Sequence, residues 1–156
     1  MVDHDTLSAS FTEFVRGVEP RLRHALCAAF GADVGREATA HALAYGWEHW
    51  DRIDDMDNPA GYLWVVGRNH ARRERATRPV FPERPVEGLP WVEPGLPRAL
   101  TSLSEGERVA VMLIHGLEWT YGEVAGLLGV SKSTVQTQTE RGMAKLRSHI
   151  GVQDDQ

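Results

Sequence analysis

The sequence has a single cysteine, Cys27, so no disulfide can form within the chain and no cysteine-based zinc set exists. Such usage fits a reducing compartment, and a cytoplasmic location is expected. No apolar run approaches the roughly 18 residues that a membrane-spanning helix needs. The acidic, polar opening MVDHDTLSAS does not read as a secretory signal. No stretch alternates apolar and polar residues long enough to build a sheet, and no internal repeat is present. Also absent are a glycine-rich phosphate loop, a nucleophile with a base at usable spacing, and a paired-carboxylate constellation. Catalysis by this chain alone is not expected, and neither is a cofactor.

A basic excess is missing too. Lys and Arg number 17 against 22 Asp and Glu, a net charge of -5. That balance argues against coating nucleic acid nonspecifically, but not against a reader whose basic residues are local. Seven histidines invite a metal reading. His24 and Cys27 are one helical turn apart, yet no second pair faces them, so no metal site is expected.

What is present is proline, concentrated in one place. Six of the eight prolines fall in RPVFPERPVEGLPWVEPGLP, between Pro79 and Pro97. Proline at this density removes backbone donors and forbids helix, so residues 76–98 read as an extended linker. Trp91 within it is a candidate for docking against a partner. The linker separates a module of residues 1–75 from one of residues 99–150, with a tail of 151–156, and both flanks read as helical. The expected fold is all-α: an N-terminal three-helix module and a C-terminal helix-turn-helix.

In the first module, Ser10 and Glu13 are spaced as a capping box ahead of an apolar stripe. The stripe is Phe11, Phe14, Val15, Val18, Leu22, Leu26 and Phe30. Pro20 is expected to kink or split this helix. A second helix, opening near Asp33, carries Ala40, Leu43, Trp47 and Trp50 on one face. DRIDDMDN follows as a loop, and Asn58-Pro59 supplies an N-cap and a first-turn proline for a third helix towards Arg75. Trp47, Trp50 and Trp64 read as packing residues. Arg68, Arg72 and Arg75 share one face of that third helix, with Arg73 beside them. Such a cluster suits phosphate neutralisation or a snorkelling, salt-bridged surface equally well.

The second module is punctuated more sharply. Ser104 with Glu107 and Thr120 with Glu123 are spaced as capping boxes. Gly116 and Gly129 stand where helix ends take a left-handed residue. Ala125 allows close helix approach, Val130 is expected to anchor the turn in the core, and Ser131 caps a last helix. That helix turns Val135, Thr139, Met143, Leu146 and Ile150 inward. Its opposite face carries Ser133, Gln136, Thr137, Glu140 and Arg141, with Thr134 at the edge. In a helix-turn-helix the start of the second helix enters the major groove. Gln suits adenine, and Ser or Thr suits bases or phosphates. A solvated face in an interaction bundle is the blander alternative.

WEHWDRIDDMDNPAGYLWVVGRNHARR, the proline-rich linker, and LSEGERVAVMLIHGLEWTYGEVAGLLGVSKSTVQTQTERGMAKLR together resemble a sigma-70 family factor. The resemblance is to the extracytoplasmic-function group, which has only the second and fourth conserved regions. It implies partners: core RNA polymerase, promoter DNA and an anti-sigma factor. It implies that Asn58, Tyr62, Arg68, Asn69, Arg72 and Arg73 belong to the part that binds and melts the downstream (minus-10) element, together with Pro59 and Leu63. The loop Asp51–Asp57 would capture an extruded base. Ser131, Lys132, Ser133, Thr134, Gln136, Thr137, Gln138 and Arg141 would belong to the helix that reads the upstream (minus-35) element. Glu37, Ala40 and His41 would face the polymerase clamp. Here Ala40 and His41 replace the Gln and acid common at those positions, and Gln136 and Gln138 replace Lys and Arg. Two other readings stay open: a sigma-derived regulator that no longer engages polymerase, and a protein-interaction module with no DNA role.

Overall fold

The structure, a computed structural model, describes residues 3–75 and 95–151. Most of the expected linker, with Trp91, and nearly all of the tail lie outside the described residues, as does the side chain of Arg75. Every element described is helical. The first module holds α1 (His4–Phe30), α2 (Ala32–Glu48), the single-turn α3 (Trp50–Ile53) and α4 (Pro59–Arg75). The second holds α5 (Leu96–Ser102), α6 (Glu105–Val111), a π-helical turn (Met112–Gly116), α7 (Tyr121–Leu128) and α8 (Lys132–Gly151). The all-α expectation holds. The first module has one helix more than expected, because α3 forms inside the presumed loop. α5 starts within the presumed linker, where Pro97 sits in its first turn and loses no hydrogen bond there.

The apolar stripe of α1 is buried at Leu22, Leu26 and Phe30 and half-buried at Phe11, Phe14, Val15 and Val18, and the helix differs from expectation at two points. It begins at His4, so Ser10 lies inside it rather than at a cap. The Ser10 hydroxyl instead accepts the indole N–H of Trp50 at 3.2 Å, and Glu13 pairs with Arg16. Nor does Pro20 split the helix, which runs through it. An internal proline costs about 3 kcal/mol. Leu22, Leu26 and Phe30 just beyond it are at most 1% exposed, and burying each contributes about 1.5–3 kcal/mol. Packing therefore exceeds the local penalty.

The inner face of α2 is not the expected one. Val34, Gly35, Ala38, Thr39, Ala42 and Gly46 are buried, whereas Ala40 is exposed and Leu43 half-buried. Trp47 is 42% exposed, resting against Phe11 and His4. Trp50 and Trp64 are buried. α2 turns its smallest residues to α1 because the two backbones nearly touch: a Cβ on Gly35 would lie 2.5 Å from the Cys27 Cα. Bulky side chains cannot enter that seam.

In the second module the capping box of Ser104 and Glu107 is complete. That of Thr120 is half-formed: its hydroxyl accepts the Glu123 N–H, while the Glu123 carboxylate returns to the hydroxyl and not to the backbone. Gly116 is not left-handed. The chain reverses there through the π-helical turn, with Glu118 taking the positive φ of 59°. α6 and α5 pack on α8, as does α7.

The two modules are packed together. α1 lies against α6, and α4 against α7. One apolar cluster runs from Leu22, Phe30 and Trp64 in the first module to Val109, Leu113, Val124 and Val135 in the second.

Candidate nucleic-acid interface

The turn between α7 and α8 is built as the sequence dictates. Gly129 is left-handed at φ 69°, and its N–H and that of Val130 both donate to the Ala125 carbonyl. This closes α7. Val130 is not an anchor, being 39% exposed, because the left-handed glycine swings the next residue outward. Ser131 then caps α8 by accepting the Thr134 N–H at 3.1 Å, and its hydroxyl also meets those of Ser133 and Thr134.

Beyond the turn, Val135 and Thr139 are buried, while Ser131, Lys132, Ser133, Gln136, Thr137, Glu140 and Arg141 are exposed. Thr134 is half-buried at the edge. The Gln136 amide donates to Glu140 at 3.1 Å, so a base edge would have to replace that bond. Gln138 departs from the expectation. It is half-buried and lies over α6, where a Cβ on Gly106 would be 2.5 Å from its Nε2. Its amide fills the α6–α8 seam and does not join the outer face.

On α4, Asn58 forms the expected cap, its Oδ1 accepting the Gly61 N–H at 3.0 Å. Leu63 and Trp64 enter the core, while Asn69, Arg72 and Arg73 are exposed. Arg68 is half-buried, with its Nε enclosed and lacking a hydrogen-bond partner. The cationic row is therefore interrupted, and Arg72 is already engaged. Its Nε and Nη2 donate to the two carboxylate oxygens of Glu105 in α6 at 3.0 and 2.8 Å.

Two residues missed in the sequence, Tyr45 and His49, lie beside Tyr62 together with Arg52 of the Asp51–Asp57 loop. The Tyr45 and Tyr62 hydroxyls are 3.4 Å apart, and Arg52 donates to Tyr45. His49 stacks on Tyr45 with centroids 4.1 Å apart. The hydroxyl contact with Tyr45 pushes the Tyr62 phenol above its ordinary value, and desolvation adds to it. This half-buried aromatic group with a cation adjoins the Asp51–Asp57 loop, whose acids are exposed. No local signal marks it, because α2 and α4 bring it together only in three dimensions.

Glu37, Ala40 and His41 are all exposed on α2. His41 stacks on His70 of α4, with centroids 4.1 Å apart and an interplanar angle of 14°. Desolvation, then the neighbouring His70 and Arg73, hold His41 below its ordinary value. Among the described residues, no group of three His, Cys, Asp or Glu is placed to hold a metal ion. None of the described helices is long and apolar enough to cross a membrane.

The family model for sigma-70 region 4 matches residues 95–146. No curated protein matches the chain in sequence. Among solved structures, the chain is similar to the sigma factor RpoE of Bartonella quintana, determined in complex with the anti-sigma factor NepR. That likeness has a TM-score of 0.64 at 19% identity, and it covers 94% of this chain and 99% of that one. Residues 95–146 thus match sigma-70 region 4, and over nearly its whole length the chain shares the fold of that solved structure.

Proposed function

We propose that the chain is a sigma factor of the extracytoplasmic-function group that confers promoter recognition on RNA polymerase in the cytoplasm and catalyses no reaction itself. One observation carries this reading. The capped start of α8 holds out Ser131, Lys132, Ser133, Gln136, Thr137 and Arg141 together, within the segment that matches sigma-70 region 4. Major-groove readout needs such a row of short polar donors and acceptors with a cation beside it. In this assignment α8 reads the upstream element. Asn58, Tyr62, Arg68, Asn69, Arg72 and Arg73 engage the melted downstream element, where backbone contacts and stacking supply affinity. Glu37, Ala40 and His41 face the polymerase clamp. By analogy with the RpoE complex, an anti-sigma protein is a further partner.

The test is copurification with core RNA polymerase, followed by selection of duplexes from a random library by the assembled complex. A two-part motif with fixed spacing, found only with polymerase, is the expected result. A one-part motif selected without polymerase would make the chain a stand-alone regulator. Selection of no DNA in either form would leave a protein-interaction module.

A further inference from the structure

Glu140 stands on the outer face of α8, exposed beside Gln136, Thr137 and Arg141, and the reading above assigns it no contact. An exposed glutamate supports its own helix through a cation three or four positions away. Here those positions hold Gln136, Thr137, Met143 and Ala144. Nor does Glu140 lie in the first turn of α8, where an acid would meet the helix dipole. Its partner is instead the Gln136 amide, which donates to Glu140 Oε1 at 3.1 Å. That bond fixes what the pair asks of DNA. A carboxylate only accepts, so whatever displaces Gln136 must donate. In the major groove guanine shows N7 and O6, and thymine shows O4 and a methyl group, so neither offers a donor. Adenine offers its N6 amino group but sets the N7 acceptor beside it, against the carboxylate. Cytosine presents the N4 amino group with no acceptor next to it.

We infer that Glu140 is a specificity-determining residue that reads a cytosine in the upstream element, accepting the N4 hydrogen in place of that of Gln136. The inference rests on the sigma-factor reading above and names the base that this part of α8 selects. The exchange loses no hydrogen bond at Glu140. It also frees the Gln136 amide, whose donor and acceptor suit a nearby adenine. Facing guanine or thymine, the carboxylate would be turned towards an acceptor and left without a partner, at the cost of its desolvation. Arg141, next along the chain, and Lys132, at the start of α8, supply the cations that hold an acidic side chain near phosphates. Four helical positions rise about 6 Å and successive bases about 3.4 Å. The bases read by Gln136 and Glu140 therefore lie one or two steps apart.

The experiment selects duplexes from a random library with the full chain bound to core RNA polymerase, for the parent, Glu140→Gln and Glu140→Ala. The parent is expected to select cytosine at one upstream position, one or two base pairs from the position that Gln136→Ala relaxes. Glu140→Gln, whose amide suits adenine, should move the choice there from cytosine to adenine. Glu140→Ala should accept all four bases there, at unchanged helical circular dichroism. A duplex with pyrimidin-2-one in place of that cytosine lacks only the 4-amino group, and the alanine variant measures what the weakened base pair costs by itself. The loss of affinity in the parent should exceed that in Glu140→Ala roughly five- to twentyfold, the factor that one base-edge contact gives. The same upstream motif in all three proteins, or any base but cytosine at the position that Glu140 controls, would overturn the inference and leave the sigma-factor reading standing. Selection of no DNA by any of the three with polymerase would overturn that reading, and this inference with it.

Discussion

The guanidinium of Arg108, in α6, is fully buried and donates through Nε to the carbonyl oxygen of Ala29, in α1, at 2.8 Å. The same side chain donates to the Leu103 carbonyl at 2.9 Å. One cation thus serves the last turn of α1 and the end of α5, where helix carbonyls lack partners and carry partial negative charge.

Replacing Arg108 by Ala removes its charge-assisted bonds to the carbonyls of Ala29, Leu100 and Leu103 and leaves a void between modules. The expected loss is about 2–4 kcal/mol, read from the denaturant midpoint. Because one core spans both modules, the parent should unfold in a single transition and the variant in two. Two transitions in the parent would show that the shared core does not couple them.

On α8, Gln136→Ala should lower discrimination at one base pair by about 1–3 kcal/mol. Arg141→Ala should weaken all sequences alike and reduce the salt slope by about one. Gln138→Ala should leave the selected motif unchanged, since that amide lies over Gly106. A motif altered by the Gln138 change would bring it back to the base-reading face.

Stability at acid pH should depend on Glu107. Its burial opposes ionisation, but the Lys145 ammonium and the two bonds with Ser104 outweigh this and hold the carboxyl below its ordinary 4.5. A carboxyl lowered on folding stabilises fully above the unfolded value, and that contribution is lost as pH falls through the folded one. Melting temperature should therefore drop below pH 4.5 in the parent and more shallowly in Glu107→Gln. Parallel curves for the two proteins would exclude the carboxylate as the source.

His41 sets a second pH expectation, at the proposed clamp face. Desolvation and the stacked His70 hold it neutral below its ordinary 6.5. The unfolded chain takes up this proton first, so the neutral stack stabilises above that value and weakens as pH falls through the folded one. Titration with core polymerase should give constant affinity down to pH 6.5 and a decline only below it. His41→Glu should remove the decline. A fall already complete by that pH would place the titrating group elsewhere.

The sequence by itself determined the caps of α4, α6 and α8, the left-handed Gly129 and the polar start of α8. Each is decided by hydrogen bonds between residues a few positions apart, as in Ser104 with Glu107, Ser131 with Thr134 and Asn58 with Gly61. It determined the α1 stripe as well, since helical periodicity is local. Only the tertiary structure decided which face of α2 turns inward, because Gly35 meets Cys27 at a distance that no spacing rule encodes. It also decided that α1 continues through Pro20, where burial outweighs a local penalty. And it decided the partners of Arg108, Arg72 and Asn58, which lie 79, 33 and 68 positions away along the chain. Contacts of that separation depend on how whole modules pack, and no side chain in either segment announces its distant acceptor.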